Sequence, residues 1–315
     1  MRLGLIGIGG FSANYHIPHL LDRDDVEIAA VCDTSPETLD SRDERLRDCA
    51  EFADYRPLLD LDLDAVVVSS PNIYHYDQCQ AALERDLHLL VDKPLTMTSA
   101  EAAALVELSH SRQRVLMTAY TRHFMASARH VRQYLASGAT PQAITAVQRK
   151  NLEHRAPLHG GILHARTVHI VDLIPWLTRR PVIGVEGHIE YDTAGYESFV
   201  DMRLELAGGL VARLLCISGE SQYQDEVSVY CAEQSFRIEQ RQLFTSGHRG
   251  RWSELEDLPE CGNSTDHFLD ALQGKVVAAD SPTALDGQDG LQALRVIEAM
   301  VEAGRTGRFV TIGKN

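Results

Sequence analysis

Residues 2–20 read RLGLIGIGGFSANYHIPHL, an apolar run followed by Gly7, Gly9 and Ser12 at the three spaced positions of a GxGxxG pattern. A strand that turns through glycines into a helix brings backbone N–H groups close to a bound pyrophosphate, so this stretch reads as a dinucleotide-binding loop. A plain strand-to-helix turn through Gly7, Gly9 and Gly10 is the competing reading, and Ser12 in the third position loosens the expected helix–strand packing. The next apolar run, VEIAAVCD, ends at Asp33, about the right distance on for the acid that hydrogen-bonds a ribose. A carboxylate there repels a 2′-phosphate, and Thr34 and Ser35 bring no cation, so NAD is favoured over NADP. Asp33 as a helix cap ahead of Pro36 is the alternative; counted with the glycines, the cofactor reading is the better one.

Working outward, the first 120 residues alternate apolar runs (RLGLIGI, VEIAAVCD, DAVVVSS, LHLLVD, RVLMTAY) with helical stretches (SPETLDSRDERLRDC, YHYDQCQAALERD, TSAEAAALVELSHS). Runs too continuously apolar to have a wet face belong in a parallel sheet covered on both sides, and strand–helix–strand repetition gives a doubly wound α/β Rossmann domain. From about residue 140 the strands AITAVQRKN, VIGVEGHIEY, SFVDMRLEL, LVARLLCISG and EVSVYCAE alternate more, with a hairpin signal at Ala207-Gly208-Gly209. One helix, GILHARTVHIVDLIPWL, precedes most of them, and DHFLDALQ and GLQALRVIEAMVEAG follow. The expected division is a dinucleotide-binding domain over 1–120 and, over 121–315, an α+β domain with a large, mainly antiparallel, open-faced sheet that binds substrate and oligomerises.

Composition narrows the classes. A net charge of -15, with acids interleaved almost everywhere, excludes nucleic acid and anionic membranes as expected partners and leaves a small-molecule substrate. Six scattered cysteines without a CxxC pair, and no apolar run long enough to span a bilayer or serve as a signal peptide, point to a reduced, cytoplasmic protein. An exposed antiparallel sheet predicts a homodimer or homotetramer.

In doubly wound sheets ligands gather outside the carboxyl ends of the strands. Two more strand ends collect candidate cofactor contacts there: Ser70, Pro71, Asn72 and His75 after DAVVV, and Asp92 and Lys93 after LHLLV, beside Gly7, Gly9, Gly10, Phe11 and Asp33. Lysine occurs only at 93, 150, 275 and 314, so Lys93 at a strand end, between an acid and Pro94, is conspicuous. Alternation along a strand turns Asp92 away from it. Partly desolvated beside a cationic nicotinamide, such a lysine has its pKa pushed below ~10.4 toward general acid–base use. A lysine snorkelling into water is the default that these surroundings argue against.

In order along the chain, GIGGFSANYHIPHL, VCD, SSPNIYH, VDKPL, YTRHF and the closing DHFLDAL, DGLQALRVIEAM and TGRFV resemble the glucose-fructose oxidoreductase, inositol dehydrogenase and MocA (Gfo/Idh/MocA) family over essentially the whole chain. Asp92 stands where that family has Glu in Glu-Lys-Pro. The resemblance implies that Lys93 is the catalytic lysine, that the Lys93–Pro94 bond is cis, and that the substrate is a sugar, cyclitol or related polyol. It also implies a second-domain sheet used for dimerisation on one side and substrate on the other.

The second family motif departs. Asp-x-Gly-x-His-x-x-Asp is matched at His169 and Asp172 but reads Ala165 and Thr167 elsewhere. At ~100° per residue 165, 169, 172 and 176 share a stripe, so His169 loses a carboxylate neighbour. Either Arg166 or His164 replaces it with a donor suited to an anionic or carbonyl-bearing ligand, or catalysis has decayed and His169 is a core histidine. Arg122 is read as guiding a carboxylate or a cofactor amide, or as an exposed helix-start arginine, and Lys150 as facing pocket or water. His159, His164 and His169, five apart, fall about 140° apart on a helix, unlike the i, i+4 pair of a zinc helix, and no metal is expected. The expected function is NAD-dependent hydride transfer at a secondary alcohol or ketone, with Lys93 and His169 catalytic and Asp172, Arg166, His164 and Arg122 at the substrate. The rivals are a catalytically silent NAD-binding regulator and a reductase of a non-sugar carbonyl.

Overall fold

The computed structural model describes residues 1–151, 156–219, 221–246, 250–276 and 281–313. They form two compact units: Met1–Tyr120 with Gly262–Leu291, and Thr121–Cys261 with Gln292–Asn315. The first holds six parallel strands, β1 (Arg2–Ile6), β2 (Glu27–Cys32), β3 (Ala50–Phe52), β4 (Ala65–Val68), β5 (His88–Asp92) and β6 (Leu116–Ala119), in the order β3-β2-β1-β4-β5-β6. Leu3, Leu5, Val66, Val68, Leu89, Leu90, Val91 and Met117 are all fully buried. Burial of consecutive residues, without alternation, is what helices on both faces of a parallel sheet produce.

The glycine loop leads into two short helices, α1 (Gly10–Asn14) and α2 (His16–Leu21), rather than one. Pro18 lacks an N–H and its ring would strike the Asn14 carbonyl of a continuous helix, so the helix restarts at His16 and Pro18 falls in the first turn, where proline is tolerated. The stretch expected as a helix over 35–49 shortens to α3 (Pro36–Asp40), capped by Ser35, whose hydroxyl accepts from Thr38 N at 3.2 Å. Asp43 then takes the Arg45 N–H at 2.9 Å, one of the local side-chain bonds that compete with helix. After α4 (Tyr55–Leu59), α5 (His75–Glu84) and α6 (Ser99–Arg112) cover the sheet. A reciprocal capping box starts α6: Thr98 Oγ1 accepts from Glu101 N, and Glu101 accepts from Thr98 N.

The chain returns to the first unit at 262–291, a stretch that the sequence reading assigned to the second domain. Its helix, α10 (Ser264–Leu272), packs on α2, with Arg23 donating to Asp270 at 3.0 Å and His16 bonded to Thr265. Leu116 N donates to Leu285 O at 3.0 Å, and a Cβ on Gly290 would lie 2.7 Å from Thr118 Oγ1, so close packing ties this segment to β6. Its signals are local helix signals only, and nothing in them records which unit they cover.

The second unit opens with α7 (Ala126–Ala136), β7 (Pro141–Lys150), the single turn α8 (Ala156–His159) and α9 (Val168–Thr178). It continues with β8 (Val182–Tyr191), β9 (Glu197–Leu206), β10 (Leu210–Ser218), β11 (Gln224–Cys231), β12 (Ser235–Glu239), β13 (Gln242–Ser246) and β14 (Trp252–Glu254). Following α10 (Ser264–Leu272), α11 (Gln288–Thr306) is divided between the units after Leu291, and β15 (Val310–Thr311) closes the described chain. The nine strands run β14-β13-β12-β11-β7-β10-β9-β8-β15, antiparallel except for β7 with β10. In β9, Val200, Met202, Leu204 and Leu206 are buried while Phe199, Asp201, Arg203 and Glu205 on the other face are half-buried, the alternation of a sheet with one open face. Gly208 and Gly209, with φ of +81° and +77°, turn β9 into β10. The six cysteines are free thiols, four of them buried. Among the described residues no helix is long and apolar enough to cross a membrane.

Candidate active site

The strand order reverses between β1 and β4, so the loops after these strands diverge and open a crevice. Gly7, at φ +83°, lies against the other side of it: an added Cβ would be 2.6 Å from both Ser69 C and Ser70 N. Gly9 and Gly10 face the other way, and a Cβ on either would meet nothing within 4 Å. Beside them a cavity of about 250 Å³ is lined by residues including Ile8, Gly9, Gly10, Thr38, Ser41 and Arg42. Asp33 accepts from Ile8 N at 3.1 Å and from Ser35 N at 3.0 Å, which ties the end of β2 to the glycine loop, and the cap of α3 is Ser35 rather than Asp33. Arg42, the cation on this cavity, is bound to Glu51 at 2.8 Å and to the Leu39 and Leu46 carbonyls. Open space before two glycines, an acid at the adjoining strand end and a cation already neutralised fit an adenosine dinucleotide. Phe11, 49 % exposed and stacked on Tyr15 at 5.2 Å, stands at the mouth of the loop.

Lys93 is half-buried just beyond β5, and its bond to Pro94 is cis. Asp92 faces away into a buried network: it accepts from His16 Nε2 at 3.0 Å and from the Ser69 hydroxyl, while His16 Nδ1 meets Thr265 Oγ1 at 2.8 Å. Because a carboxylate only accepts, His16 carries its proton on Nε2 when neutral and Nδ1 accepts from the threonine hydroxyl. Burial pushes the Asp92 carboxyl up, but the charge and hydrogen bond of His16 and the Ser69 hydroxyl outweigh it and hold the group below the usual carboxylate range. Asp92 therefore braces the loops around Lys93, with both of its oxygens engaged within the protein.

The His75 ring is fully buried, with Nδ1 at 2.8 Å from Pro94 O and Nε2 at 2.9 Å from Ser70 O, so it stands between the loop after β4 and the turn after Lys93, and its one proton when neutral is donated to one of these carbonyls. Burial lowers its pKa, against the pull of the two carbonyls. A histidine depressed in the fold and near 6.5 when unfolded contributes stability that is present above about pH 6.5 and lost as pH falls toward the folded value. We expect the thermal midpoint to fall on acidification from pH 7 to 5, with a slope of up to ~1.4 kcal/mol per pH unit from this group, and His75→Gln to flatten it. A midpoint indifferent to pH over that range, in both proteins, contradicts the assignment. Of the other expected contacts, Ser70 donates to Gln78 at 2.6 Å, Asn72 is buried and Pro71 is half-buried.

In the second unit, residues 163–167 wind as a π-helix ahead of α9, with Val168 N bonded to Leu163 O. The wider turn breaks the 100° phase on which Ala165 was placed on the His169 stripe and His164 about 140° from His169. His164, Ala165 and Arg166 are half-buried, His169 is 8 % exposed and Asp172 7 %. Asp172 is paired with His123 at 2.8 Å, a partner that sequence reasoning missed although it lies in the quoted YTRHF. The His123 ring stacks on Trp176 at 4.5 Å. Burial raises the Asp172 carboxyl, with His123 and Arg122 opposing. Arg122 and Arg166 both bind Asp225, which is nearly buried on β11, and Lys150 lies 5.6 Å from the Tyr223 ring centre. Glu197, 9 % exposed, fills the space left by Gly161: a Cβ there would sit 1.6 Å from its Oε2.

A glycine loop and an acid at the strand ends of a 3-2-1-4-5-6 parallel sheet define a dinucleotide-binding type of Rossmann fold. Residues 1–120 match the model of the oxidoreductase family with an NAD-binding Rossmann fold, GFO_IDH_MocA. Over these residues the chain is similar to the Gfo/Idh/MocA family. It is 29 % identical over 227 residues to a dTDP-3,4-didehydro-2,6-dideoxy-alpha-D-glucose 3-reductase of Saccharopolyspora spinosa, covering 68 % of this chain and 67 % of that one. To the D-glucoside 3-dehydrogenase of Escherichia coli (strain K12) it is 27 % identical over 139 residues, 44 % of this chain and 40 % of that enzyme, so it spans about two fifths of that relative's length. The aldose-aldose oxidoreductase of Caulobacter crescentus shares the fold at a TM-score of 0.84, with 20 % identity and 99 % of each chain covered.

Proposed function

We propose that the protein transfers hydride between NAD and a secondary alcohol or ketone of a sugar, cyclitol or related polyol. The observation that carries this reading is Lys93, half-buried at the carboxyl edge of the sheet, with its neighbouring acid turned away and occupied by His16 and Ser69. When bound, the nicotinamide supplies the hydride acceptor or donor. In the oxidative direction the Lys93 amine takes the hydroxyl proton, and in the reductive direction its ammonium returns one. Asp33 selects NAD, since its carboxylate repels a 2′-phosphate and Arg42 is held by Glu51. The relatives named as sugar reductases and dehydrogenases favour this reading over a silent NAD-binding regulator. Docking of the open sheet face on a second copy makes the cytoplasmic enzyme a homodimer or homotetramer, which sedimentation measures.

Fluorescence titration tests the cofactor half. NADH is expected to bind at least about tenfold tighter than NADPH, and Asp33→Ala to narrow that gap, by roughly the cost of one lost charge-assisted hydrogen bond. Equal or tighter binding of NADPH by the unaltered protein refutes the preference. A panel of sugars, cyclitols and acyclic ketones with NAD and NADH then reads the substrate class, and turnover of acyclic ketones alone would replace the polyol reading by a non-sugar carbonyl reductase.

A further inference from the structure

Four donors converge on a single oxygen in the second unit. Asp225 Oδ2 accepts from Arg122 and from Arg166 at 2.7 Å, and Gln148 Nε2 and Tyr223 OH stand at 3.4 Å and 3.5 Å. One carboxylate oxygen has about two lone pairs to offer, so the donors outnumber what it can accept. Two guanidinium groups are also brought together around one negative charge, an arrangement in which like charges repel unless a second anion shares them. The cluster lies between the π-turn and the covered face of the sheet, with Gln148 and Asp225 on neighbouring strands β7 and β11. Asp225 is 5 % exposed, whereas the Arg166 side chain is 19 % and Tyr223 47 % exposed. Arg166 lies 5.2 Å from the centre of the Tyr223 ring, so the side of the cluster that meets solvent is aromatic and cationic.

We propose that Arg122 and Arg166 form an anion clamp, with Asp225 as the resident acid that holds both forks in place, and that the substrate carries a carboxylate or phosphate group. This rests on the polyol oxidoreductase reading and refines it: the reacting molecule is an acidic or phosphorylated sugar derivative, gripped by charge-assisted bonds to guanidinium N–H groups that Asp225 leaves over. It also gives the helix that lacks a carboxylate at Ala165 a complementary gain, cationic donors one residue on.

Calorimetry on the full-length protein with NADH present tests the clamp, using D-glucuronate, glucose 6-phosphate and neutral D-glucose as probes. At least one anionic probe is expected to bind about tenfold or more tighter than glucose, and Arg166→Gln to bring it to the glucose level. The better of the two anionic probes tells a carboxylate from a phosphate. Should Arg166→Gln fail to fold, Arg166→Lys keeps the charge but loses the planar fork, and an intermediate loss is expected. Glucose binding as tightly as both anionic probes, no binding by any probe, or a gap unchanged in a folded Arg166 variant overturns the proposal. Anionic binding that disappears in the variant, from a protein that neither reduces NAD with the sugar and cyclitol alcohols nor oxidises NADH with the ketones of the panel above, would instead leave the clamp and remove the oxidoreductase reading.

Discussion

Replacing Lys93 with alanine is expected to lower turnover by about 10²–10⁴-fold, the usual worth of a positioned proton-transfer group, while NADH affinity changes by no more than about threefold. The separation follows from position. Lys93 stands beyond the end of β5, whereas the loop proposed to receive the dinucleotide is built from Gly7, Gly9 and Gly10 after β1. Lys93→Arg sharpens the test. Arginine keeps the positive charge but does not deprotonate in proteins, so it can stabilise a developing oxyanion and cannot take a proton from an alcohol. If proton transfer is the role of the residue, the arginine variant is nearly as slow as the alanine variant in the oxidative direction. Turnover that survives alanine removes Lys93 from the chemistry. A wild-type protein without turnover, whose NADH-linked ligand response survives alanine, returns the regulator reading.

The parts of the fold legible in the sequence were those whose signal is local. AAVC, AVVV and LLV are unbroken apolar runs, and the structure buries Ala30, Val31 and Cys32 of β2, all of β4, and Leu89, Leu90 and Val91 of β5 consecutively. The strand β3 has only three residues, Ala50, Glu51 and Phe52, and β12 to β14 carry Arg237, Glu239 and Glu254 among short apolar stretches, so periodicity had little to act on. Long-range pairing was less legible still. The return of 262–291 to the first unit depends on contacts such as Thr265 with His16, 249 positions apart, that no window of sequence contains.

The same distinction runs through the site. Gly7, Asp33 and Lys93 announce themselves at strand ends. The partners that determine what the other candidates do lie far away: His16 for Asp92, Pro94 and Ser70 carbonyls for His75, His123 for Asp172, Asp225 for both arginines. The candidate acid–base residues could therefore be collected from local sequence, whereas the group each one is bonded to could not. The helix phase failed for a different reason. A π-turn changes the number of residues per turn, and nothing in LHART distinguishes five residues wound as π from five wound as α.

Gly7→Ala and Gly9→Ala should separate fold from cofactor binding. At Gly7 an alanine must adopt φ +83°, which costs an L-residue about 1–2 kcal/mol, and its Cβ would lie 2.6 Å from the backbone of Ser69 and Ser70. Backbone atoms cannot swing aside as a side-chain tip can, so the loop after β4 has to move, and with it the Ser69 hydroxyl that Asp92 accepts. We expect a loss of stability of roughly 2–4 kcal/mol, read by denaturant unfolding, together with loss of NADH binding. Gly9 has no positive φ and nothing within 4 Å of a Cβ, so alanine there is expected to leave stability within about 1 kcal/mol and still weaken NADH binding at least tenfold, because the methyl group occupies the space through which a pyrophosphate approaches the backbone. If Gly9→Ala binds NADH as well as the unaltered protein does, the open side of this loop is not where the dinucleotide lies, and the glycines serve only the strand-to-helix turn.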